Sequence, residues 1–357
     1  MEQGKSEVSI KEVREFKYDN EGIEELVKFL GDYKEGIMEA TGPYFYYLHE
    51  KLTERGFKVT VVNPLHLSEI LGKKTDKLDA QRLVMAFMTG VVKGSYIPDG
   101  EIRELRELTR YRTSLVEKEA QVKNEIRKIL ETAGYKLEPF NKRGMELLEK
   151  LSKGELKQED KRELGEKLGR TLNRAERLML AQLVELLMQL EDMIKDVEKA
   201  ILSKIPQEVV ELSKIPGVGP ITAAVIYAEF GDVSRFPSSK AAKAYAGFAP
   251  RTKQSGNSES HVGMIEGNKY LRRTLYLCAR MARRGPFADF YERLIAKGKS
   301  SIEATCALAG KLASISYHVL VDGVYKGLVT KRLKLIKGKN VKDYDVDVSS
   351  VLNTLFP

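Results

Sequence analysis

The chain has 357 residues, of which 42% are hydrophobic and 31% charged, so it is long enough for two or three globular domains. Two cysteines, four histidines without paired spacing and the lack of a membrane-length apolar run argue against a disulfide scaffold, a structural zinc site and a membrane protein. The net charge of +9 favours a polyanionic partner, and we expect a cytoplasmic protein.

Short strands alternate with helices in the first 95 residues, which predicts an α/β layer with parallel strands. We predict strands at 7–18, 36–38 and 58–62, with helices after Asp19 and from Pro43 to Arg55. The second strand delivers Glu39 at its C-terminal end, where ligand chemistry collects in parallel sheets.

Two more carboxylates follow at the start of a predicted helix. Thr75 or Asp76 is its N-cap, and Asp79 lies three residues after Asp76, so both carboxylates share one face. Together with Glu39 they could hold Mg²⁺, and two such ions about 4 Å apart would suit phosphoryl transfer. The alternative is ordinary helix capping and dipole compensation.

Residues 96–206 read as a helical spacer. A long helix over 100–133, a charged segment with short helical pieces over 141–167 and a second long helix over 171–205 predict an antiparallel pair or a coiled coil. Packing within one chain and dimerisation both remain open. The basic face of the first long helix could hold an RNA or be simply solvated.

Residues 207–326 carry a Gly-rich turn with Gly217 and Gly219, then an apolar helix to Phe230. Such a turn offers backbone N–H groups to a phosphate and also resembles a helix-hairpin-helix turn, although it could be purely structural. A polar loop with Lys253 and Ser255 follows. The next helix is basic, and the candidate DNA-binding residues are Gly217, Gly219, Lys253, Lys269, Arg272 and Arg273.

A closing amphipathic helix spans 301–322, and the tail over 327–357 is basic. This tail is either a nucleic-acid arm or a solvated end.

Several motifs together resemble transposases of the IS110 type. The C-terminal pieces are IPGVGP, GDVSRF, AGFAPRTKQSG and GNKYLRR, and the N-terminal pieces are EATG, VVNP and KTDKLDA. The resemblance implies a fold that is α/β plus all-α: a RuvC/RNase H-like DEDD domain, a coiled-coil spacer and a mostly helical C-terminal domain.

The resemblance also implies the chemistry. Glu39, Asp76 and Asp79 match the second, third and fourth acidic positions and would bind Mg²⁺, while Ser255 matches the nucleophile that links covalently to DNA. Lys253, His261 and the metals are candidates for activating it. A structured guide RNA and a homo-oligomer that joins the carboxylates of one subunit to the serine of another are implied as well.

One departure from the family pattern lies at the N-terminus. The family's first acidic residue is an Asp on an opening strand, in a segment resembling G-I-D-x-S-K that this sequence lacks. Asp19 and Asp32 lie in predicted turns and do not replace it. Either the start codon is assigned too late, or the element is decayed. We therefore expect an incomplete domain that lacks its first strand and one ligand, which puts catalytic activity in doubt.

The leading hypothesis is a DNA transposase or recombinase of an insertion sequence, in which Ser255 and the three carboxylates carry out the chemistry. The alternatives are a catalytically impaired DNA-binding relic and a junction nuclease that uses carboxylates only.

Overall fold

The structure is a computed structural model. It describes residues 12–40, 44–63, 76–90, 94–98, 100–135, 140–157, 159–160, 170–203, 205–255 and 258–326. The chain divides into two compact units, Met1–Pro98 and Asp99–Pro357. The predicted basic tail over 327–357 lies outside the described residues, and the predicted division into four domains stays a prediction.

The first unit combines helices with a parallel strand pair. Its elements are α1 (Asn20–Leu30), β1 (Glu35–Glu39), α2 (Tyr44–Glu54), β2 (Lys58–Val62) and α3 (Asp76–Met88). The two strands pair in parallel from Glu35↔Lys58 to Glu39↔Val62, with α2 between them in the sequence. This confirms the predicted strands at 36–38 and 58–62.

The strand predicted over 7–18 is wrong for its described part, since residues 12–17 have no regular secondary structure and pair with no described strand. The Phe16 ring instead lies 5.5 Å from the Phe29 ring of α1, and the Arg14 guanidinium lies 5.1 Å from the same ring. Phe16 of this segment therefore packs on a helix, while Val13 is exposed. Residues 1–11 lie outside the described part.

The second unit begins with α4 (Gly100–Thr132), α5 (Lys142–Lys153) and α6 (Arg174–Leu202). The helices α4 and α6 are antiparallel, because contacts that move forward along α4 move backward along α6. Arg112 pairs with Glu198 at 2.6 Å, Lys123 pairs with Glu191 at 3.5 Å, and beyond the helix ends Arg170 N–H donates to the Ala133 carbonyl at 2.9 Å.

The side chains between these two helices are apolar, and they pack against each other within a single chain. Leu115, Val122 and Ile126 of α4 are buried in one cluster with Leu180 and Leu187 of α6. Of the two packings that the sequence left open, the structure has the intramolecular antiparallel pair. A coiled coil between subunits stays a prediction.

The rest of the unit is mostly helical. Its elements are α7 (Gln207–Ser213), α8 (Pro220–Phe230), a 3-10 turn (Val233–Arg235), α9 (Ser239–Tyr245), β3 (Pro250–Ser255), β4 (Ser258–Met264), α10 (Lys269–Ala282), α11 (Ala288–Ala296) and α12 (Ser301–Asp322). The helix α8 packs against α4, α7 and α10, so its Ala223, Ile226 and Phe230 are fully buried. This placement explains why α8 is apolar around its whole circumference.

The polar loop predicted around Ser255 is wrong, because β3 and β4 form an antiparallel hairpin there. Gly256 and Asn257 separate the two strands and lie outside the described residues. A Gly-Asn pair between two short polar runs is typical of a tight hairpin, so the sequence did carry this signal.

One helix of the described residues, α12, is long and apolar enough by length and composition to cross a membrane. The expectation that no apolar run reaches that length is therefore wrong for this segment. Leu308, Leu312 and Ala313 are fully buried in the core of the unit, which accounts for the apolar composition. The cytoplasmic location stays a prediction.

The start of α6 is fixed by a capping box. The Asn173 side chain accepts a hydrogen bond from the Glu176 N–H at 2.9 Å, and the Glu176 carboxylate accepts one from the Asn173 N–H at 2.9 Å. Arg170 donates to the same carboxylate at 2.7 Å. The Arg170 hydrogen bond, followed by that from Asn173, lowers the pKa of Glu176 to about 2.

This shift predicts a pH dependence of stability. Because the folded pKa of Glu176 lies below its ordinary 4.5, its contribution is present above about pH 4.5 and is lost as the pH falls towards 2. Glu176→Gln should therefore lower the free energy of unfolding at neutral pH and flatten its decline over that window. Urea unfolding at a series of pH values measures this, with Glu185→Gln on the same helix as the control. Parallel curves for the wild type and Glu176→Gln would contradict it.

Candidate functional site

Glu39 is the last residue of β1 and pairs with Val62, the last residue of β2. The Ala40 N–H continues the ladder by donating to the Val62 carbonyl at 2.8 Å. Both strands therefore end at the same edge, and Glu39 lies exposed at that carboxyl edge as predicted.

Asp76 is the first residue of α3 and Asp79 lies three residues later in the same helix. Their side chains lie outside the described part of the structure, as does Thr75. Three carboxylates are chemically a suitable donor set for Mg²⁺. Among the side chains that are described, no group of three Asp, Glu, His or Cys could hold a metal ion, so the predicted ligand set stays a prediction.

The Gly-rich turn before α8 is packed tightly on one side. The Val218 N–H donates to the Ile215 carbonyl at 2.9 Å. Gly217 has φ +88°, and a Cβ there would lie 2.8 Å from both the Cys278 carbonyl oxygen and Ala282 Cβ. Gly219 is the N-cap of α8 and makes no side-chain cap, while Pro220 begins the helix. The Val218 N–H is thus already bonded and Pro220 has no N–H, so phosphate binding by this turn stays a prediction.

Sequence reasoning missed a buried carboxylate, Glu229, in the last turn of α8. Its side chain has no exposed surface. Arg110 donates to it from Nε and Nη2 at 2.7 and 2.9 Å, and the Asn268 side chain donates at 2.7 Å. Arg106 Nε lies 3.7 Å away and donates to the Ala228 carbonyl at 2.9 Å. A buried carboxylate requires such partners, because desolvation would otherwise be very costly.

Two sequence signals could have revealed this cluster, which we call the Glu229 cluster (Glu229, Arg106, Arg110 and Asn268). Glu229 is the only charged residue in the apolar run from Ile221 to Phe230. Arg106 and Arg110 are four residues apart and so lie on one face of α4. The pairing itself links positions 119 residues apart, which no local pattern specifies.

Asn268 connects the Glu229 cluster to the hairpin and to α10. Its side-chain oxygen accepts from the N–H groups of Tyr270 and Leu271 at 3.0 Å each, which caps α10. The backbone N–H of Asn268 donates to the Tyr245 carbonyl at 2.8 Å. Its side-chain amide nitrogen donates to the Tyr245 hydroxyl at 3.2 Å. Asn268 thus binds the C-terminal end of α9, the start of α10 and Glu229 together.

The base of the hairpin lies next to this joint. Ile265 N–H donates to the Ala249 carbonyl at 3.1 Å, and a Cβ on Gly267 would lie 2.4 Å from the Gly247 nitrogen. At the opposite end, Ser255 pairs with Ser258 as the last register position. The hairpin therefore carries Ser255 at its tip. The side chains of Lys253, Ser255 and His261 lie outside the described part.

The three predicted cations of α10 have different surroundings. Lys269 and Arg273 are exposed: the Lys269 ammonium lies 5.0 Å from the centre of the Tyr270 ring, and Arg273 pairs with Glu117 of α4. Arg272 is half-buried and donates to the Ile265 carbonyl, and a Cβ on Gly247 would lie 2.3 Å from its Nη2. These contacts give Arg272 a structural role at the hairpin base, whereas its role in DNA binding stays a prediction.

Comparison with known families gives two matches. A model described as "Transposase IS116/IS110/IS902 family" matches residues 210–292, which contain Glu229, Ser255 and Asn268. A model of DEDD transposases of the IS110 type, described as a transposase, matches residues 3–134, which contain Glu39, Asp76 and Asp79.

Similar individual proteins come from several bacteria. The chain is 36% identical over 117 residues to an uncharacterized protein of insertion element IS110 from Streptomyces coelicolor, covering 32% of the chain and 29% of that protein. It is 27% identical to the transposase of IS1111A from Coxiella burnetii (68% and 63% covered) and 25% identical to that of IS1328 from Yersinia enterocolitica (78% and 81% covered). The match spans less than two thirds of the first two proteins.

The Glu229 cluster predicts a large effect of a single substitution. Glu229→Ala should lower the free energy of unfolding by about 3–5 kcal/mol, because it leaves the buried Arg106 and the partly exposed Arg110 without their carboxylate. Chemical denaturation followed by circular dichroism measures this change. Glu107→Ala, which breaks the exposed pair with Arg103 on α4, is the matched control and should cost about 1 kcal/mol or less. Equal losses in the two variants would contradict the assignment.

The two glycines of the turn should respond differently to alanine. Gly217→Ala should cost about 2 kcal/mol or more, because φ is positive and the new Cβ meets α10. Gly219→Ala should cost about 1 kcal/mol or less, since φ is −86° and the nearest atom to the new Cβ, Thr222 Oγ1, lies 3.9 Å away. Thermal unfolding of both variants tests this, and a reversed order would show that α10 does not constrain the turn.

Proposed function

Because the chain belongs to the IS110 family of transposases, as its motifs predicted, we propose that it is a DNA recombinase that moves an insertion sequence. In this proposal Ser255 is the nucleophile, and Glu39, Asp76 and Asp79 hold Mg²⁺. The observation that carries it is the position of Ser255 at the tip of the β3–β4 hairpin, at whose base the Ile265 N–H donates to the Ala249 carbonyl. A tip residue can reach a DNA strand while the base stays rigid.

The covalent step is a transesterification. The Ser255 hydroxyl oxygen attacks a phosphorus of the DNA backbone, a bond from serine oxygen to phosphorus forms, and the bond from phosphorus to the leaving strand oxygen breaks. The serine proton passes to a base, and the leaving oxygen takes up a proton to depart as a hydroxyl. A strand hydroxyl later attacks the same phosphorus and releases the serine. Lys253 and His261 are the candidate bases near Ser255 in the sequence.

The three carboxylates serve the same step by holding divalent cations, which supply charge stabilisation to the phosphoryl oxygens. Glu39 is suited to this because it is exposed at the carboxyl edge of the strand pair. Asp76 and Asp79 are suited by their spacing at the start of α3. Glu39 and these two residues come from the first unit, and Ser255 comes from the second.

DNA is the proposed substrate, and a structured guide RNA is the proposed partner that specifies the sites. The net charge of +9 supports a polyanionic partner. The Gly217–Gly219 turn and the exposed Lys269 and Arg273 support contacts to a nucleic-acid backbone, which position a strand without reading its bases.

We also propose that the protein acts as a homo-oligomer. The support is an apolar stripe on the solvent face of α6, outside the intramolecular pair with α4. Leu178, Met179, Leu186 and Met193 are all exposed, and at 100° per residue they lie within about 100° of one another around the helix. A second copy of the helix would cover this stripe, as in a coiled coil.

The test of the nucleophile is covalent capture of DNA. Purified protein is incubated with guide RNA, Mg²⁺ and labelled DNA carrying the element end, then denatured and resolved by electrophoresis. Wild type should give a protein–DNA adduct that maps to Ser255 by mass spectrometry, and Ser255→Ala should give none. Ser258→Ala, at the facing register position, is the matched control and should retain the adduct.

An adduct at the wild-type level in Ser255→Ala would contradict the nucleophile assignment. Mg²⁺-dependent cleavage without any adduct would instead favour a nuclease that uses carboxylates only. DNA binding without cleavage in the wild type would favour a DNA-binding relic.

A further inference from the structure

A cleft of about 190 Å³ lies between the spacer helix α4 and the start of α10. It is distinct from the hairpin tip and from the Gly-rich turn, and it joins the spacer to the C-terminal part of the same unit. Its lining residues are Arg110, Thr113, Ser114, Glu117, Lys269, Tyr270 and Arg273.

The lining is unusually rich in cations for its size. Three side chains of the lining are positively charged, Arg110, Lys269 and Arg273, and Glu117 is negatively charged. Because Glu229, outside the lining, pairs with Arg110, the excess positive charge comes from Lys269 and Arg273. The Thr113 hydroxyl on the α4 side donates to the Thr109 carbonyl at 2.9 Å, so the cations are the groups that suit a ligand. Cations around a small volume are chemically suited to the oxygens of a phosphate group.

The aromatic ring of Tyr270 organises two of these cations. The Arg110 guanidinium lies 4.6 Å from the ring centre and the Lys269 ammonium lies 5.0 Å from it. Arg110 is also fixed by its two hydrogen bonds to Glu229. One wall of the cleft is therefore rigid before any ligand arrives, which lowers the entropic cost of binding.

The cleft also contains a weak internal contact. Glu117 pairs with Arg273, but the side chains are 55% and 41% exposed, and such exposed pairs contribute little free energy. A phosphate oxygen could replace the Glu117 carboxylate at Arg273 at small cost. Glu117 would then be released into solvent.

We infer that this cleft binds a phosphodiester group of a nucleic-acid backbone, and that Glu117 competes with that group for Arg273. The inference rests on the proposed function, because a recombinase with a guide RNA meets both DNA and RNA backbones. It extends the nucleic-acid surface from α10 onto the spacer helix α4. It also assigns Glu117 an unusual role, since removal of this side chain should strengthen binding.

The test compares two substitutions that remove the same charge from α4. Binding of full-length protein to fluorescent duplex DNA and to hairpin RNA of matched length is measured by anisotropy over a range of salt concentrations. Glu117→Gln should tighten binding about twofold to fivefold, the range expected for freeing Arg273 from an exposed ion pair. Glu107→Gln, on the same helix but outside the cleft lining, should change affinity less than twofold.

A third variant tests the cation itself. Arg273→Gln should weaken binding and reduce the slope of log affinity against log salt by about 0.9 on duplex DNA, or about 0.7 on a single strand, the values for one lost phosphate contact. Glu117 and Arg273 are both exposed, so substituting either should have little effect on folding. A thermal melt of each variant verifies this.

The probes distinguish the source of the phosphodiester. Effects on DNA alone assign the cleft to a DNA strand, effects on RNA alone assign it to the guide, and effects on both support a general backbone subsite. Identical behaviour of Glu117→Gln and Glu107→Gln on both probes, with normal wild-type binding, would overturn the cleft inference alone. Failure of the wild type to bind either probe would overturn the proposed function and the cleft with it.

Discussion

The second unit depends on one buried carboxylate. Glu229 lies in the last turn of the apolar helix α8, and its side chain has no exposed surface. The free-energy cost of burying this charge is offset because Arg110 and Asn268 donate to it directly and Arg106 lies beside it. These partners come from the spacer helix α4 and from the N-cap of α10. A single ionic cluster therefore ties α8 to α4 and to the start of α10, in addition to the apolar packing of these helices.

The features proposed to act on nucleic acid extend from this cluster. Asn268 is the N-cap of α10, the helix that carries Lys269 and Arg273. Its backbone N–H also donates to the Tyr245 carbonyl at the C-terminal end of α9, near the base of the hairpin. The hairpin then projects Ser255 from a fixed base. On the other side, Arg110 forms the rigid wall of the cleft. The cluster thus links the spacer helix α4, which contributes Arg106 and Arg110, to the segment that leads to the hairpin.

Local patterns predicted much of the fold. The end of β1 at Glu39, the strand β2 and the long helices α4 and α6 depend on periodicity and turn chemistry, which neighbouring residues specify. The hairpin was missed because its strands are polar, and the segment around Phe16 was assigned as a strand although its ring packs on α1. The partners of Glu229 could not be predicted from the sequence, because the tertiary packing of α4 on α8 brings them to it. The roles of Glu39, Asp76, Asp79 and Ser255 stay predictions.

The central claim is that Glu229 and Arg110 couple the spacer to the C-terminal part of the unit. A double-mutant cycle with Glu229→Gln, Arg110→Met and the combined variant measures this coupling from the free energies of unfolding. We expect a coupling energy of at least about 1 kcal/mol, since the pair is bidentate and one partner is fully buried. Losses that add within about 0.5 kcal/mol would show that the two residues act independently, and would contradict the account.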